Sequence, residues 1–147
     1  MDLAPLFTAF TLFALMEFGD KTHLAIVALS ARSRPRDVFL GATAAFALVD
    51  GSSILLGDVI SGILPGYWLR IGSGTLFLAM GIHGLTRRGD EGEFRPMGNA
   101  LLSVFGFVAL MELGDKTQFV SFALAARYGS PGLIFLGIVL ASAMLTG

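Results

Sequence analysis

The chain has 147 residues, of which 54% are hydrophobic and 14% charged, with a formal net charge of −1 and a mean hydropathy of +0.77. Soluble domains carry about 25% charged residues, so this composition describes an integral membrane protein and excludes a disordered chain. The lack of cysteine excludes disulfides, iron–sulfur clusters, Cys-ligated zinc and thiol catalysis, and the near-neutral balance offers no basic surface for nucleic acid.

A membrane-spanning helix needs about 20 mostly apolar residues. Five stretches meet that need: residues 4–31, 38–61, 66–86, 98–126 and 132–147. None alternates apolar and polar residues as a barrel strand would, so all five are predicted as helices. The first lacks a basic n-region and is interrupted by Glu17, Asp20 and Lys21, so it is expected to persist in the mature protein rather than be cleaved as a signal. Arg32, Arg34 and Arg36 follow it, around Pro35. The second span carries Asp50 at its middle, followed by Gly51, Ser52 and Ser53. Pro65 and Gly66 precede the third, where Tyr67 and Trp68 read as interface anchors. Gly72, Gly74, Gly81 and Gly84 there suggest a closely packed face, and His83 reads as a packing residue. A polar connector at 87–97 leads to the fourth span, with Asp90, Glu91 and Glu93 balancing Arg87, Arg88 and Arg95. The positive-inside rule then places the N-terminus outside and both Arg-rich loops in the cytoplasm, in what is expected to be a prokaryotic plasma membrane.

The chain repeats itself. Met16-Glu17-Phe18-Gly19-Asp20-Lys21-Thr22 matches Met111-Glu112-Leu113-Gly114-Asp115-Lys116-Thr117 at six of seven positions, at an offset of 95. Further on, Phe39-Leu40-Gly41 matches Phe135-Leu136-Gly137 at an offset of 96, with Pro35 and Pro131 ahead of each. Residues 1–86 thus read as a three-helix repeat, 87–97 as a cytoplasmic loop and 98–147 as an incomplete second repeat. An odd number of spans per unit makes the second copy enter from the opposite side, giving the inverted repeat common among secondary transporters. The fifth span stops at Gly147, the partner of Gly51, so about five of six expected spans are present. A fragmentary chain, a partner subunit supplying the missing helix, or a homo-oligomer would account for that.

Both lysines of the protein lie in the two motifs. Ionisable residues near the bilayer centre cost at least about 2.5 kcal/mol each on insertion scales, which makes them functional-site candidates by default. On a continuous helix Glu17, Asp20 and Lys21 share one face, with an intrahelical pair expected from Glu17 to Lys21, and Glu112, Asp115 and Lys116 repeat the pattern. Gly19 and Gly114 permit close backbone approach or local unwinding beside the carboxylates. Set face to face, the motifs bring four carboxylates and two ammonium groups together, formally −2, which suits one divalent cation or two protons. Oxygen ligands favour hard ions such as Ca²⁺, Mn²⁺ or Mg²⁺. Crowded, buried carboxylates also hold protons well, so proton and metal compete, which is the logic of an antiporter. Asp50 and His23 are candidate proton-relay groups; His23 equally fits an interhelical packing role.

The paired Glu-x-Gly-Asp-Lys-Thr motifs on spans one and four resemble those of the transmembrane protein 165 family, also known as uncharacterised protein family 0016. The resemblance extends over nearly the whole chain. It implies a six-span fold and a cation/proton antiporter moving Mn²⁺ and Ca²⁺, with a metal site of Glu17, Asp20, Glu112 and Asp115. Lys21, Thr22, Lys116 and Thr117 are implied as supporting motif residues. The chain departs from its own pattern where His23 follows the first motif and Gln118 the second. On this reading the protein is not an enzyme and has no cofactor; the metal is cargo, and its partners are cation, protons and the bilayer. A passive divalent-cation channel could use the same carboxylates, and proton coupling separates the two. A metal-dependent enzyme acting on lipid pyrophosphates would need cationic groups near the headgroups, whereas these motifs lie deep in their spans.

Overall fold

A computed structural model describes residues 2–86 and 98–147. The connector at 87–97 and the side chain of His83 lie outside the described residues. Those residues form helices α1 (Ala4–Glu17), α2 (Lys21–Ser30), α3 (Pro35–Ile63), α4 (Gly66–Thr86), α5 (Ala100–Glu112), α6 (Lys116–Tyr128) and α7 (Pro131–Thr146), with no strand among them. Pro5, Pro35 and Pro131 lie in the first turns of α1, α3 and α7, where a missing N–H leaves nothing unpaired. Asn99 caps α5 by accepting the Leu101 N–H at 3.0 Å. Gly129, at φ +58°, turns the chain out of α6 in the left-handed conformation.

One expectation is corrected here. The stretches 4–31 and 98–126 are not continuous helices, because each is broken at its motif, between α1 and α2 and between α5 and α6. Lys21 therefore does not follow Glu17 on one helix, and the expected intrahelical pair does not form. The cause is local: Gly19 and Gly114 adopt φ +75° and +79°, which a helix cannot accommodate. On α4, a Cβ added at Gly72 or Gly74 would meet nothing within 4 Å; the packing at Gly81 and Gly84, the rest of the expected glycine face, lies outside the described residues.

Close packing occurs elsewhere, and it is reciprocal. A Cβ at Gly41 on α3 would lie 2.9 Å from the Leu101 carbonyl oxygen and 3.1 Å from the Phe105 nitrogen of α5. A Cβ at Gly137 on α7 would lie 2.5 Å from the Leu6 oxygen and 3.1 Å from the Phe10 nitrogen of α1. These are the same contacts displaced by one repeat. Likewise Gly51 faces the Phe135 ring and Gly147 the Phe39 ring. Each half thus wraps its second long helix around the broken helix of the other half, and Thr43 and Thr146 join α3 to α7 by a 3.1 Å hydrogen bond.

The resulting body is apolar outside and encloses a set of polar groups within its apolar core. Leu15, Phe18 and Leu110 are each more than 70% exposed, whereas Glu17, Thr22, Asp50, Glu112, Thr117 and Ser121 are buried. That distribution suits hydrocarbon surroundings rather than water. Among the described residues, α3 is the one helix long and apolar enough to cross a membrane unaided.

Candidate functional site

The two breaks share one backbone design. Phe18 and Leu113, at φ/ψ −62°/116° and −60°/114°, leave their helices in extended conformation. Asp20 and Asp115 re-enter at −74°/166° and −80°/166°. The N–H groups of residues 18–20 and 113–115 each have a partner, so the breaks leave none of these six donors unmet. The Phe18 and Leu113 N–H groups donate back to Ala14 and Ala109, and those of Asp20 and Asp115 donate to Glu17 and Glu112 at 3.0 Å. The Gly19 N–H donates to His23 Nδ1 at 3.1 Å, and the Gly114 N–H donates to Gln118 Oε1 at 2.7 Å. His23 and Gln118 therefore do the same work four residues beyond their glycines. Their importance was hidden in the sequence, where they look like a mismatch between the motifs.

Asp20 and Asp115 occupy the N-cap positions of α2 and α6, yet neither side chain caps its own helix. Their carboxylates are left to point elsewhere, while the positive helix N-termini beside them favour negative charge. Glu17 and Glu112 stand at the opposite kind of terminus, the last residues of α1 and α5, where a helix favours cations. Ligand oxygens of Glu17, Glu112 and Asp115 all lie within 4.8 Å of one another. Both Glu17 oxygens, Glu112 Oε1 and Asp115 Oδ2 are buried with no hydrogen-bond partner. Thr117 Oγ1 donates to Glu112 Oε2 at 2.9 Å and orients it, and Thr22 is buried at the start of α2.

Four carboxylates were expected at this centre, and three are gathered in the cluster. Asp20 is instead paired with Lys116, whose Nζ lies 2.9 Å from Asp20 Oδ2. Lys21 is exposed. Asp50, fully buried on α3, reaches α6 rather than a motif. Its Oδ1 accepts from Ser121 Oγ at 2.7 Å, and its Oδ2 has no partner. Ser121 was missed from the sequence, although it follows Thr117 by one helical turn and so lies on the same face of α6.

Unpartnered buried carboxylates thus converge between the ends of discontinuous helices inside an apolar helical shell, the kind of arrangement by which membrane transporters with broken helices hold ions. The family model for the divalent cation/proton antiporter GDT1 matches residues 5–91 and 100–147, and the chain belongs to that family. This is a family of transporters, not of enzymes. Over 91 residues, 61% of the chain, it is 33% identical to GDT1-like protein 5 of Oryza sativa subsp. japonica, covering 39% of that protein. Over 74 residues, 50% of the chain, it is 30% identical to GDT1-like protein C186.05c of Schizosaccharomyces pombe, covering 28% of it. The chain thus spans well under half the length of these curated relatives. No solved structure matches it.

Proposed function

We propose that the chain exchanges a divalent cation, Mn²⁺ or Ca²⁺, for protons across a membrane, binding the cation between Glu17, Glu112 and Asp115. The observation that carries this reading is the meeting of their oxygens within 4.8 Å. Two oxygens each about 2.3–2.6 Å from one ion are at most about 5 Å apart, so the cluster has the span of a single coordination sphere. Without a cation, charges so buried and so close are untenable, and protons neutralise them. Metal and protons are then alternative occupants of the same oxygens, and transport of one is tied to return of the other.

Asp50 is the second place for a proton. Ser121 has one hydroxyl hydrogen, yet its Oγ lies 2.7 Å from Asp50 Oδ1 and 2.8 Å from the Thr117 carbonyl oxygen. A proton on Asp50 lets both contacts be hydrogen bonds at once, with Ser121 accepting from Asp50 and donating to Thr117.

The reciprocal packing of α3 on α5 and α7 on α1 supports two copies related as an inverted pair, each broken helix pair forming one span. With the N-terminus outside the plasma membrane and 87–97 in the cytoplasm, the motifs approach the midplane from opposite sides. The test is Mn²⁺ and Ca²⁺ flux into proteoliposomes under an imposed pH gradient. Gradient-driven uptake by the native chain, lost in the Glu17→Gln/Glu112→Gln variant, is expected. Uptake indifferent to the gradient, or unchanged in that variant, would overturn the reading.

A further inference from the structure

The two motifs offer the same residues on breaks of the same geometry, and the structure uses them unequally. Lys116 holds Asp20 in a 2.9 Å ion pair. Its counterpart Lys21 is exposed and has no carboxylate partner among the described residues. Asp115 joins Glu17 and Glu112. Its counterpart Asp20 does not join them. The two inequalities have one cause, because a carboxylate clamped by an ammonium is withdrawn from coordinating a metal. Asp20 and Asp115 are both half-buried, and Lys116 gives Asp20 the positive charge that a bound cation would give Asp115.

We propose that Lys116 and Lys21 take turns: in the state seen here Lys116 withholds Asp20 from the cation, and in a conjugate state Lys21 withholds Asp115 while Asp20 joins the two glutamates. This inference rests on the carboxylate cluster being the cation site. The ion keeps Glu17 and Glu112 throughout and trades one aspartate for the other. Both states contain a neutral ion pair beside a three-carboxylate cluster, so the change adds no net charge to the core. The near-identical backbone at the two breaks gives the two pairings equivalent local geometry. The lysines are positioning residues, competing with the cargo for its ligands rather than binding it.

The decisive variant is Lys21→Met, because Lys21 touches no carboxylate among the described residues and a merely solvated residue would be dispensable. In proteoliposomes, Lys21→Met and Lys116→Met are each expected to slow pH-driven Mn²⁺ exchange at least tenfold, with arginine at either position restoring part of it. Mn²⁺ binding to the detergent-solubilised protein, read by electron paramagnetic resonance, stays within threefold of native. Exchange by Lys21→Met within twofold of native overturns the proposal. The native chain has no cysteine, so pairing is also read directly by oxidising the Asp20→Cys/Lys116→Cys and Lys21→Cys/Asp115→Cys variants in membranes and counting thiols that still react with a maleimide. Loss of reactivity in both supports alternation. Oxidation of the first pair alone, with the second pair still reactive, overturns it. Failure of the cation-site reading would register separately, as native protein that neither binds nor exchanges Mn²⁺ whatever the thiols report.

Discussion

Glu17 and Glu112 each end a half-helix with buried carboxylate oxygen that has no hydrogen-bond partner, both oxygens of Glu17 and Oε1 of Glu112. Such groups destabilise a fold unless something outside the chain completes them, and replacing a carboxylate by its amide removes that burden along with the proposed cation ligand. Glu17→Gln is therefore expected to weaken Mn²⁺ binding at least tenfold while leaving the metal-free protein as stable as native or more so. Calorimetric titration and a thermal melt of the same preparation check both halves. Competition for the same oxygens fixes the sign of the pH dependence: affinity falls as pH falls, by about tenfold per unit for each proton displaced. Asp50 stands outside the carboxylate cluster. Asp50→Asn, whose amide can donate to Ser121, is expected to preserve Mn²⁺ binding and to flatten the pH profile of exchange. Ser121→Ala leaves the Asp50 carboxyl without its partner and is expected to cost about 1–3 kcal/mol in stability.

At the level of the helices, the broken pairs α1–α2 and α5–α6 bring opposite helix ends to one place. A continuous helix would carry Glu17 and Asp20 on one face but would present no free termini. The break supplies the positive end of α2 beside Asp20 and the negative end of α1 beside Glu17. Its backbone rests on one side-chain acceptor, which is His23 in the first motif and Gln118 in the second. Exchange of one acceptor for the other should therefore be harmless. His23→Gln is expected to keep stability within about 0.5 kcal/mol, whereas His23→Ala loses about 1 kcal/mol or more by stranding the Gly19 N–H. Denaturation of both variants in detergent compares them. Retained stability in His23→Ala would show that the acceptor does not hold the corner.

The whole molecule depends on two halves that interlock through glycines. A methyl group at Gly41, Gly57 or Gly137 would press on a backbone oxygen of the facing helix, of Leu101, Phe122 and Leu6 respectively. Backbone cannot yield as a side-chain tip can, so Gly137→Ala is expected to cost at least about 1–3 kcal/mol by overpacking. Gly72→Ala and Gly106→Ala, where an added Cβ meets nothing within 4 Å, serve as controls expected to be near neutral. Thermal stability of these variants, measured in one detergent, tests whether the contact between halves carries the fold. The same interlock holds the motifs opposite one another, so a loosened Gly137 variant should also bind Mn²⁺ more weakly than its controls.

Much of this was legible beforehand, for physical reasons that can be separated. Composition alone dictates a helical membrane protein, because an apolar chain in lipid must satisfy its backbone internally. The doubled motif, with both lysines and two pairs of carboxylates inside apolar stretches, marked Glu17, Asp20, Glu112 and Asp115 as site candidates, since ionisable groups in such stretches are rare and costly. Periodicity could not announce the helix breaks: Gly19 and Gly114 permit a positive φ without requiring it, and the flanking residues suit a helix equally well. Nor could spacing along one helix identify the partner of Lys116, which is Asp20 in the other half, or place Asp50 on Ser121. Those choices depend on how α3 and α7 wrap the opposite half. Local chemistry is written in consecutive residues, whereas the selection of three carboxylates from four, and of which lysine engages, is decided by contacts nearly a hundred residues apart that exist only once the chain is packed.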